Sequence, residues 1–234
     1  MECDVAVLGG GPGGYTAAIR AAQLGARAVC IDKEPALGGT CLRVGCIPTK
    51  AWVQTAFALK EARESFAKFG VRVSEPELDF AASVSWKDAV VGQMTNGVAS
   101  LFKANGVEWV KGVGRFTGPN EIAVDGAEER ITFTHAIVAT GSQPLRPPVE
   151  GIDSPRCVDS TGLLAQTEVP RRLVILGGGV IGCEFASIFA HFGSEVTVVE
   201  MLPALIPQED ADAAKELRKQ FGKRGIAVHL ESQC

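Results

Sequence analysis

Two cysteines in a glycine-rich segment, Cys41 and Cys46, are the residues of this chain best suited to chemistry. Two thiols this close in sequence can form and break a disulfide, which carries two electrons. The segment follows a pattern typical of a dinucleotide-binding βαβ unit, so electrons could pass between sulfur and a bound cofactor. The pair therefore favours a redox function. Half of a metal site and two buried helical thiols remain the alternatives, although no second cysteine pair or histidine follows at ligand spacing.

The elements that would hold such a cofactor occur twice along the chain. The strand-like run Val5–Leu8 leads into a turn with glycines at G-x-G-x-x-G spacing, then into a small-residue helix and a second strand that ends at Asp32. Leu173–Leu176 begins the second copy, which ends at Glu200. The spaced glycines are Gly9, Gly11 and Gly14 in the first copy and Gly177, Gly179 and Gly182 in the second. In both copies the acid follows the first glycine by 23 positions, and this repeated context predicts two dinucleotide sites rather than merely glycine-rich turns.

The residue types in these turns suit the phosphates and ribose of a dinucleotide. Glycine permits the tight turn and lets the backbone approach the pyrophosphate. The helix that follows presents unpaired N–H groups and the positive end of its dipole to the phosphates. The closing acid accepts hydrogen bonds from ribose hydroxyls. Because Glu200 would repel a 2′-phosphate, the second copy predicts NAD rather than NADP.

The composition argues against several other classes of protein. A net charge of −4 and an aromatic content of 6% indicate neither a basic surface nor a base-stacking platform, so no nucleic-acid partner is expected. The chain begins without the pattern of a signal peptide, and no apolar run is long enough to cross a membrane. Its seven cysteines are too scattered for a secreted disulfide framework, which favours a cytoplasmic setting. We expect structural roles for the cysteines outside the pair and for the histidines: Cys3, Cys30, Cys157, Cys183, Cys234, His135, His191 and His229.

Periodicity gives a coarse picture of the remaining elements. It predicts one long helix from Thr40 to about Lys68 and a second from Trp86 to about Ala104. Alternating residues from Val107 to Val138, interrupted by turn signals, predict a small β meander. The predicted fold is α/β, with two Rossmann-like βαβ domains and the meander. Its predicted ranges are residues 1–143 for the first domain, 144–155 for a proline-rich linker and 156–234 for the second domain.

Three segments resemble the flavin-dependent pyridine-nucleotide disulfide oxidoreductases, and most closely their dihydrolipoyl dehydrogenase subfamily. Gly11–Gly25 is similar to the first nucleotide turn of that subfamily, Gly39–Lys50 to its redox segment, and Ala139–Ser142 to the second flavin-contacting turn of the family. The subfamily usually has Asn at the position of Arg43 and often Ser at that of Thr49, but neither change touches a cysteine. The resemblance covers the whole chain.

This resemblance implies FAD in the first domain and NAD in the second. Lys50 would lie near the reactive edge of the flavin, where a cation stabilises negative charge on the reduced ring, and Glu184 would pair with this lysine. The implied FAD contacts are Gly9, Gly11, Gly14, Asp32, Lys33, Gly39, Thr40, Lys50, Gly114, Thr140, Gly141 and Ser142. The implied NAD contacts are Gly177, Gly179, Gly182 and Glu200, with Glu184 on the helix between them.

The resemblance also implies roles for the two cysteines. They would form a disulfide in the oxidised enzyme, with Cys41 exchanging with substrate and Cys46 facing the flavin. A helix start at the pair is expected to lower a thiol pKa. The implied substrate is dihydrolipoamide on an acyltransferase or carrier protein of a 2-oxo acid dehydrogenase complex, and the implied assembly is a homodimer. A non-catalytic FAD-binding fragment and a sibling disulfide or mercuric-ion reductase remain the alternatives.

Members of the family that this chain resembles are longer than its 234 residues. We therefore expect the end of the NAD domain, a central domain and the C-terminal dimerisation domain to be absent from it. The catalytic His-Glu pair of the family would lie in that absent part. From this we expect low turnover of the 234-residue chain alone, together with exposed sheet edges.

Overall fold

The computed structural model describes residues 1–126 and 130–233, and Cys234, expected to be structural, lies outside these described residues. The chain divides into two compact units: Met1–Pro48 with Asp88–Leu145, and Thr49–Lys87 with Arg146–Cys234. Within the described residues, no helix is both long and apolar enough to cross a membrane.

The first unit is built on a six-stranded sheet. Its strands are β1 (Glu2–Leu8), β2 (Ala28–Asp32), β3 (Glu108–Lys111), β4 (Gly114–Gly118), β5 (Glu121–Val124) and β6 (Ile131–Val138). Their order in the sheet is β3-β2-β1-β6-β5-β4. The pairs β3–β2, β2–β1 and β1–β6 are parallel, whereas β6–β5 and β5–β4 are antiparallel. All five residues of β2 are buried, which is why the strand is apolar up to Asp32, its last residue.

Four α-helices begin within residues 1–126. They are α1 (Pro12–Gln23), α2 (Gly39–Val44), α3 (Cys46–Glu64) and α4 (Phe80–Asn105). In the first unit, Ala18 of α1, Leu42 of α2 and Phe102 of α4 pack with Val7 of β1 into one buried cluster. This packing holds the nucleotide-type turn after β1 and the short cysteine helix α2 against the same sheet.

The second unit contains the second βαβ pattern. Its further elements are α5 (Ser160–Leu164), β7 (Arg172–Leu176), α6 (Val180–Phe192), β8 (Glu195–Val199), α7 (Ala211–Lys223) and β9 (Ala227–His229). The strands form a parallel sheet in the order β7-β8-β9, and the edge strand β7 exposes Val174 and Leu176.

Aromatic packing explains why residues 49–87 belong to the second unit. Trp52 of α3 is fully buried and contacts Phe189 and Phe192 of α6 edge-to-face, with ring centroids 5.9 and 6.1 Å apart. Phe80 of α4 joins the same cluster, 5.3 Å from Trp52. The predicted ranges assigned this segment to the first domain, because sequence position alone does not show which sheet a helix covers.

Two predicted helices have different boundaries in the structure. The long helix expected from Thr40 is interrupted at Gly45, whose backbone (φ −142°, ψ −109°) is not helical. A Cβ at Gly45 would lie 2.9 Å from the carbonyl oxygen of Thr40, so this tight break requires a residue without a side chain. The second helix begins at Phe80 rather than Trp86, since the Asp79 side chain accepts a hydrogen bond from the N–H of Ala82 at 2.9 Å.

The predicted meander is only partly correct. The strands β4, β5 and β6 form an antiparallel ribbon, but β3 pairs in parallel with β2, and β6 also pairs in parallel with β1. A period of two identifies a strand without identifying the direction of its partner. Both of these strands therefore extend the sheet that contains β1 and β2.

Candidate redox site and nucleotide-binding turns

The first glycine turn connects β1 to α1 and is packed too tightly for side chains. A Cβ on Gly14 would lie 1.7 Å from the carbonyl oxygen of Gly9, and a Cβ on Gly9 would lie 2.2 Å from that of Ala139. Gly9 also has a φ of +102°, which favours glycine. The contact with Ala139 brings the segment that precedes Thr140 directly against this turn.

The second glycine turn, between β7 and α6, repeats this geometry. A Cβ on Gly182 would lie 2.2 Å from the carbonyl oxygen of Gly177, which has a φ of +105°. Gly179 has no atom within 4 Å of the position its Cβ would take, so open space adjoins the turn. The two turns are thus the same local structure built twice.

The two closing acids, Asp32 and Glu200, fix the turns by an equivalent pair of hydrogen bonds. Asp32 accepts from the backbone N–H groups of Gly10 and Glu34, the latter at 2.8 Å. Glu200 accepts from Gly178 at 2.6 Å and Leu202 at 2.7 Å. Both carboxylates are buried, and each oxygen keeps further acceptor capacity for a ribose hydroxyl. Sequence reasoning assigned only ribose binding to the acids and missed this structural role.

The starts of helices α1 and α6 fit the phosphates of a dinucleotide. Gly11 and Gly179 are their N-caps, and neither provides a side-chain cap hydrogen bond. The first N–H groups of a helix have no partner inside the helix, so an uncapped start beside a glycine turn can donate to phosphate oxygens. Both turns therefore fit the dinucleotides predicted from the sequence.

The cysteine pair lies at the junction of two helices. Cys41 is on α2 and Cys46 is the first residue of α3, with the break at Gly45 between them. Both are free thiols, and Cys46 is the neighbouring group that acts on the Cys41 thiol. The start of α2 packs on the first nucleotide turn, since a Cβ on Gly39 would lie 2.5 Å from the Cα of Gly11. The pair is therefore in its dithiol form next to a nucleotide-type turn.

The electrostatics of Cys41 differ from the sequence-based expectation. Burial, followed by the hydrogen bond and charge of Cys46, raises the pKa of the Cys41 thiol to about 11, although the backbone N–H of Cys46 acts in the opposite direction. The expected lowering of a thiol pKa by the helix start is wrong for Cys41, because desolvation and a second sulfur outweigh the dipole.

Alanine in place of Cys46 should make Cys41 more reactive near neutral pH. The change removes the side-chain hydrogen bond and the neighbouring negative charge, so the pKa of Cys41 should fall from about 11 toward 9.0. Each unit of this fall raises the thiolate fraction about tenfold at pH 7, and because a less basic thiolate is a weaker nucleophile, alkylation should speed about threefold per unit. The pH dependence of iodoacetamide labelling of the reduced proteins, read at Cys41 by peptide mapping, measures the change. Alanine at Cys157, an exposed thiol in the second unit, is the matched control, and an unchanged pKa in the Cys46 variant would contradict this explanation.

Lys50 and Glu184 form an ion pair within the second unit. Lys50 Nζ contacts Glu184 Oε1, and the two side chains are 62% and 36% exposed. The structure thus contains the pairing implied by the resemblance, between residues 134 positions apart. The relation of this pair to a flavin stays a prediction.

The other predicted contact residues fall into two groups. Gly114 is packed inside the first unit, where a Cβ would meet Ile31 and Ile122 at 3.2 and 3.3 Å. The remaining predicted residues are on the surface of that unit: Lys33, Thr40, Thr140, Gly141 and Ser142. Among residues 1–126 and 130–233, no group of three or more His, Cys, Asp or Glu could hold a metal ion. The roles of these residues toward a cofactor remain predictions.

Two nucleotide-type turns, each closed by a buried acid, and a dithiol packed beside one of them define the class of nucleotide-dependent disulfide oxidoreductases. Comparison with known proteins gives the family. The model of the pyridine nucleotide-disulphide oxidoreductases matches residues 3–234, and the chain belongs to this family. The family implies a flavin and a nicotinamide nucleotide as cofactors, in line with the two turns.

Similar relatives include proteins with two kinds of name. The chain is 47% identical to the mitochondrial dihydrolipoyl dehydrogenase of Pisum sativum, over 99% of this chain and 47% of the relative. It is 45% identical to the leghemoglobin reductase of Vigna unguiculata, over 99% of this chain and 45% of that protein. Dihydrolipoyl dehydrogenase 3 of Pseudomonas putida is 42% identical, over 98% of this chain and 50% of its own length. The chain therefore spans about half the length of these curated relatives.

A solved structure shares the fold. The Cu(II) complex of the HOCl-induced flavoprotein disulfide reductase RclA from Escherichia coli has a TM-score of 0.86 and 32% identity to this chain. The match covers all of this chain and 50% of that protein.

The relatives also correct the predicted cytoplasmic setting. Those from Pisum sativum, Arabidopsis thaliana, Dictyostelium discoideum and Schizosaccharomyces pombe are named mitochondrial. The expectation was wrong because scattered free cysteines indicate a compartment where disulfides are rare, without saying which such compartment it is.

Proposed function

We propose that the protein is an NAD-dependent dihydrolipoyl dehydrogenase. Its substrate is dihydrolipoamide on an acyltransferase or carrier protein of a 2-oxo acid dehydrogenase complex, and it acts as a homodimer. The observation that carries the proposal is the position of two free thiols, Cys41 on α2 and Cys46 at the start of α3, where α2 starts against the first nucleotide turn. The names of the dihydrolipoyl dehydrogenase relatives support the choice of substrate.

The cysteines carry out a thiol–disulfide exchange in this proposal. One thiolate of dihydrolipoamide attacks the sulfur of Cys41 in the oxidised pair, which forms a substrate–Cys41 bond and leaves the displaced electron pair on Cys46. The second substrate thiolate then closes the cyclic disulfide of lipoamide and releases Cys41. Because the pKa of Cys41 is raised to about 11 beside Cys46, the released sulfur takes up a proton at neutral pH. The protein thus gains two electrons as a dithiol.

Each of the two turns would hold one cofactor. The first turn, with Asp32, would hold the pyrophosphate and ribose of FAD, and the second turn, with Glu200, would hold NAD. Glu200 has both oxygens turned toward backbone N–H groups and offers no cation to a 2′-phosphate, which supports NAD over NADP. When bound, FAD supplies the passage of two electrons from the cysteine pair to NAD as a hydride.

Glutamine in place of Lys50 should slow NAD reduction about a hundredfold while leaving the fold intact. In the proposal Lys50 is the cation that stabilises negative charge on the reduced flavin, and Glu184 holds it in position. An exposed ion pair contributes at most about 1 kcal/mol to stability, so the melting temperature should change little. Steady-state kinetics and a thermal melt give the two readings. Glutamine at Lys60, on the same helix, is the control, and equal rates in the two variants would remove Lys50 from the mechanism.

A comparison of turnover with different substrates tests the proposed function. The protein that contains this chain should reduce NAD with dihydrolipoamide much faster than it reduces NADP, and it should turn over neither glutathione disulfide nor mercuric ion with NADPH. Faster turnover of either of these last substrates would assign the protein to a sibling reductase. Flavin binding without any of these activities would favour the non-catalytic alternative.

A further inference from the structure

An arginine between the two cysteines forms an ion pair that the proposed function does not use. Arg43 is on α2, and its Nη1 lies 2.8 Å from Oε2 of Glu34 in the loop that follows β2. The Arg43 side chain is only 18% exposed, and that of Glu34 is 36% exposed. By contrast, Arg115 and Asp125 in the same unit are 3.5 Å apart and 68% and 58% exposed. The Arg43–Glu34 pair is therefore less screened by solvent than an ordinary surface pair.

The loop that contains Glu34 is bonded to the first nucleotide turn. The backbone N–H of Glu34 donates to Asp32, whose other oxygen accepts the N–H of Gly10. At the far end of the loop, the N–H of Gly38 donates to the carbonyl oxygen of Gly10 at 2.8 Å. A displacement of Glu34 is thus transmitted to the turn and to the acid expected to bind ribose.

The cysteine helix depends on such anchors for its position. With six residues, α2 is too short to be stable in isolation, so tertiary contacts determine where it lies. Its residue Leu42 is buried, and the next residue, Arg43, makes the polar contact with Glu34. Cys41 is on the same single turn and moves with both of them.

We propose that Arg43 and Glu34 are positioning residues that couple nucleotide binding at the first turn to the placement of Cys41. The inference rests on the proposed function, in which the first turn holds FAD and Cys41 meets the substrate. Coupling of this kind is reciprocal: a change on the cysteine helix alters nucleotide retention, and a change in the nucleotide loop alters the cysteine. Neither residue touches the reacting atoms.

Two neutral variants, Arg43→Gln and Glu34→Gln, test the coupling. The change on the cysteine helix should affect flavin binding, and the change in the nucleotide loop should affect Cys41. In the FAD-loaded protein, Arg43→Gln should speed flavin release about threefold, and once the cysteine pair has been reduced, Glu34→Gln should speed alkylation of Cys41 about threefold, as expected for a partly buried pair. The double variant should add little to either single change, because both remove the same contact. Flavin fluorescence and peptide-mapped alkylation are the two readings. Arg27→Gln, which removes the exposed pairs with Glu2 and Asp4 in the same unit, is the control.

The direction of the alkylation changes separates positioning from a charge effect. Loss of a cation alone would disfavour the Cys41 thiolate and slow alkylation, whereas loss of an anion alone would speed it. Positioning predicts that both single variants speed alkylation, because both loosen α2. The proposal would be overturned if the two variants changed the alkylation rate in opposite directions. It would also be overturned if Arg43→Gln left flavin release unchanged and Glu34→Gln left alkylation unchanged, or if the effects of the single variants added up in the double variant. If the unmutated protein binds no flavin, the proposed function fails, while the alkylation rates still decide whether the ion pair holds Cys41.

Discussion

Serine in place of Cys41 should abolish dihydrolipoamide oxidation, with a loss of roughly a thousandfold or more in the rate of NAD reduction. Serine has a similar size, but its oxygen cannot form the bond with substrate sulfur through which the electrons enter. Because Cys41 is only partly buried at the surface of α2, the fold and the nucleotide turns should remain intact. The effect should therefore fall on chemistry and not on stability.

Direct electron flow through the nucleotide sites provides the internal control for this variant. Oxidation of NADH with an artificial dye as acceptor does not need the cysteine pair, so the Cys41→Ser protein should keep this activity. Serine at Cys157, an exposed thiol in the second unit, should leave both activities unchanged. Substantial dihydrolipoamide oxidation by the Cys41 variant would show that the substrate thiols react elsewhere.

Alanine in place of Gly14 should eliminate flavin binding, whereas alanine at Gly182 should eliminate NAD binding with the flavin retained. The added Cβ would lie 1.7 Å from the carbonyl oxygen of Gly9 in the first case and 2.2 Å from that of Gly177 in the second. Neither distance is tolerable, so each turn must move its backbone at a cost of about 3 kcal/mol. The N–H groups at the start of α1 or α6, which we propose bind phosphate, move with it.

Two glycines in open helical positions make matched controls for these variants. Gly97 on α4 and Gly222 on α7 have no atom within 4 Å of the position of a Cβ, so alanine there should leave cofactor binding unchanged. Flavin absorbance after gel filtration and calorimetric titration with NAD give the two readings. Loss of both cofactors in either turn variant would mean that the two sites are not independent, contrary to the assignment of one cofactor to each turn.

The sequence predicted the parts of the molecule that depend on local chemistry. Gly14 and Gly182 stand where only glycine fits, and the repeated spacing to Asp32 and Glu200 was sufficient to locate both turns. The ion pair of Lys50 with Glu184 joins residues 134 positions apart, so no local pattern contains it, and only the resemblance to a known family pointed to it.

Features that depend on tertiary packing were missed. Helical periodicity continues through Gly45, so the break that separates the two cysteine helices could not be read from it. The parallel pairing of β3 with β2 depends on which strand lies alongside, and the burial that raises the pKa of Cys41 depends on the surrounding fold. The only sequence signal for the Arg43–Glu34 pair is that Arg43 stands where the resembled subfamily usually has Asn. The sequence does not show that Arg43 pairs with Glu34, because Glu34 lies on another element.

Peptide-mapped alkylation after a single anaerobic reduction tests the central claim, that the Cys41–Cys46 pair accepts the electrons of dihydrolipoamide. The measurement needs no turnover, and it counts free thiols in the oxidised protein and again after one equivalent of substrate. We predict that Cys41 and Cys46 are protected before reduction and that both become alkylated afterwards, while the other cysteines do not change. The account would be contradicted if the substrate were fully oxidised while Cys41 and Cys46 stayed protected from alkylation. New labelling at a different cysteine would also contradict it.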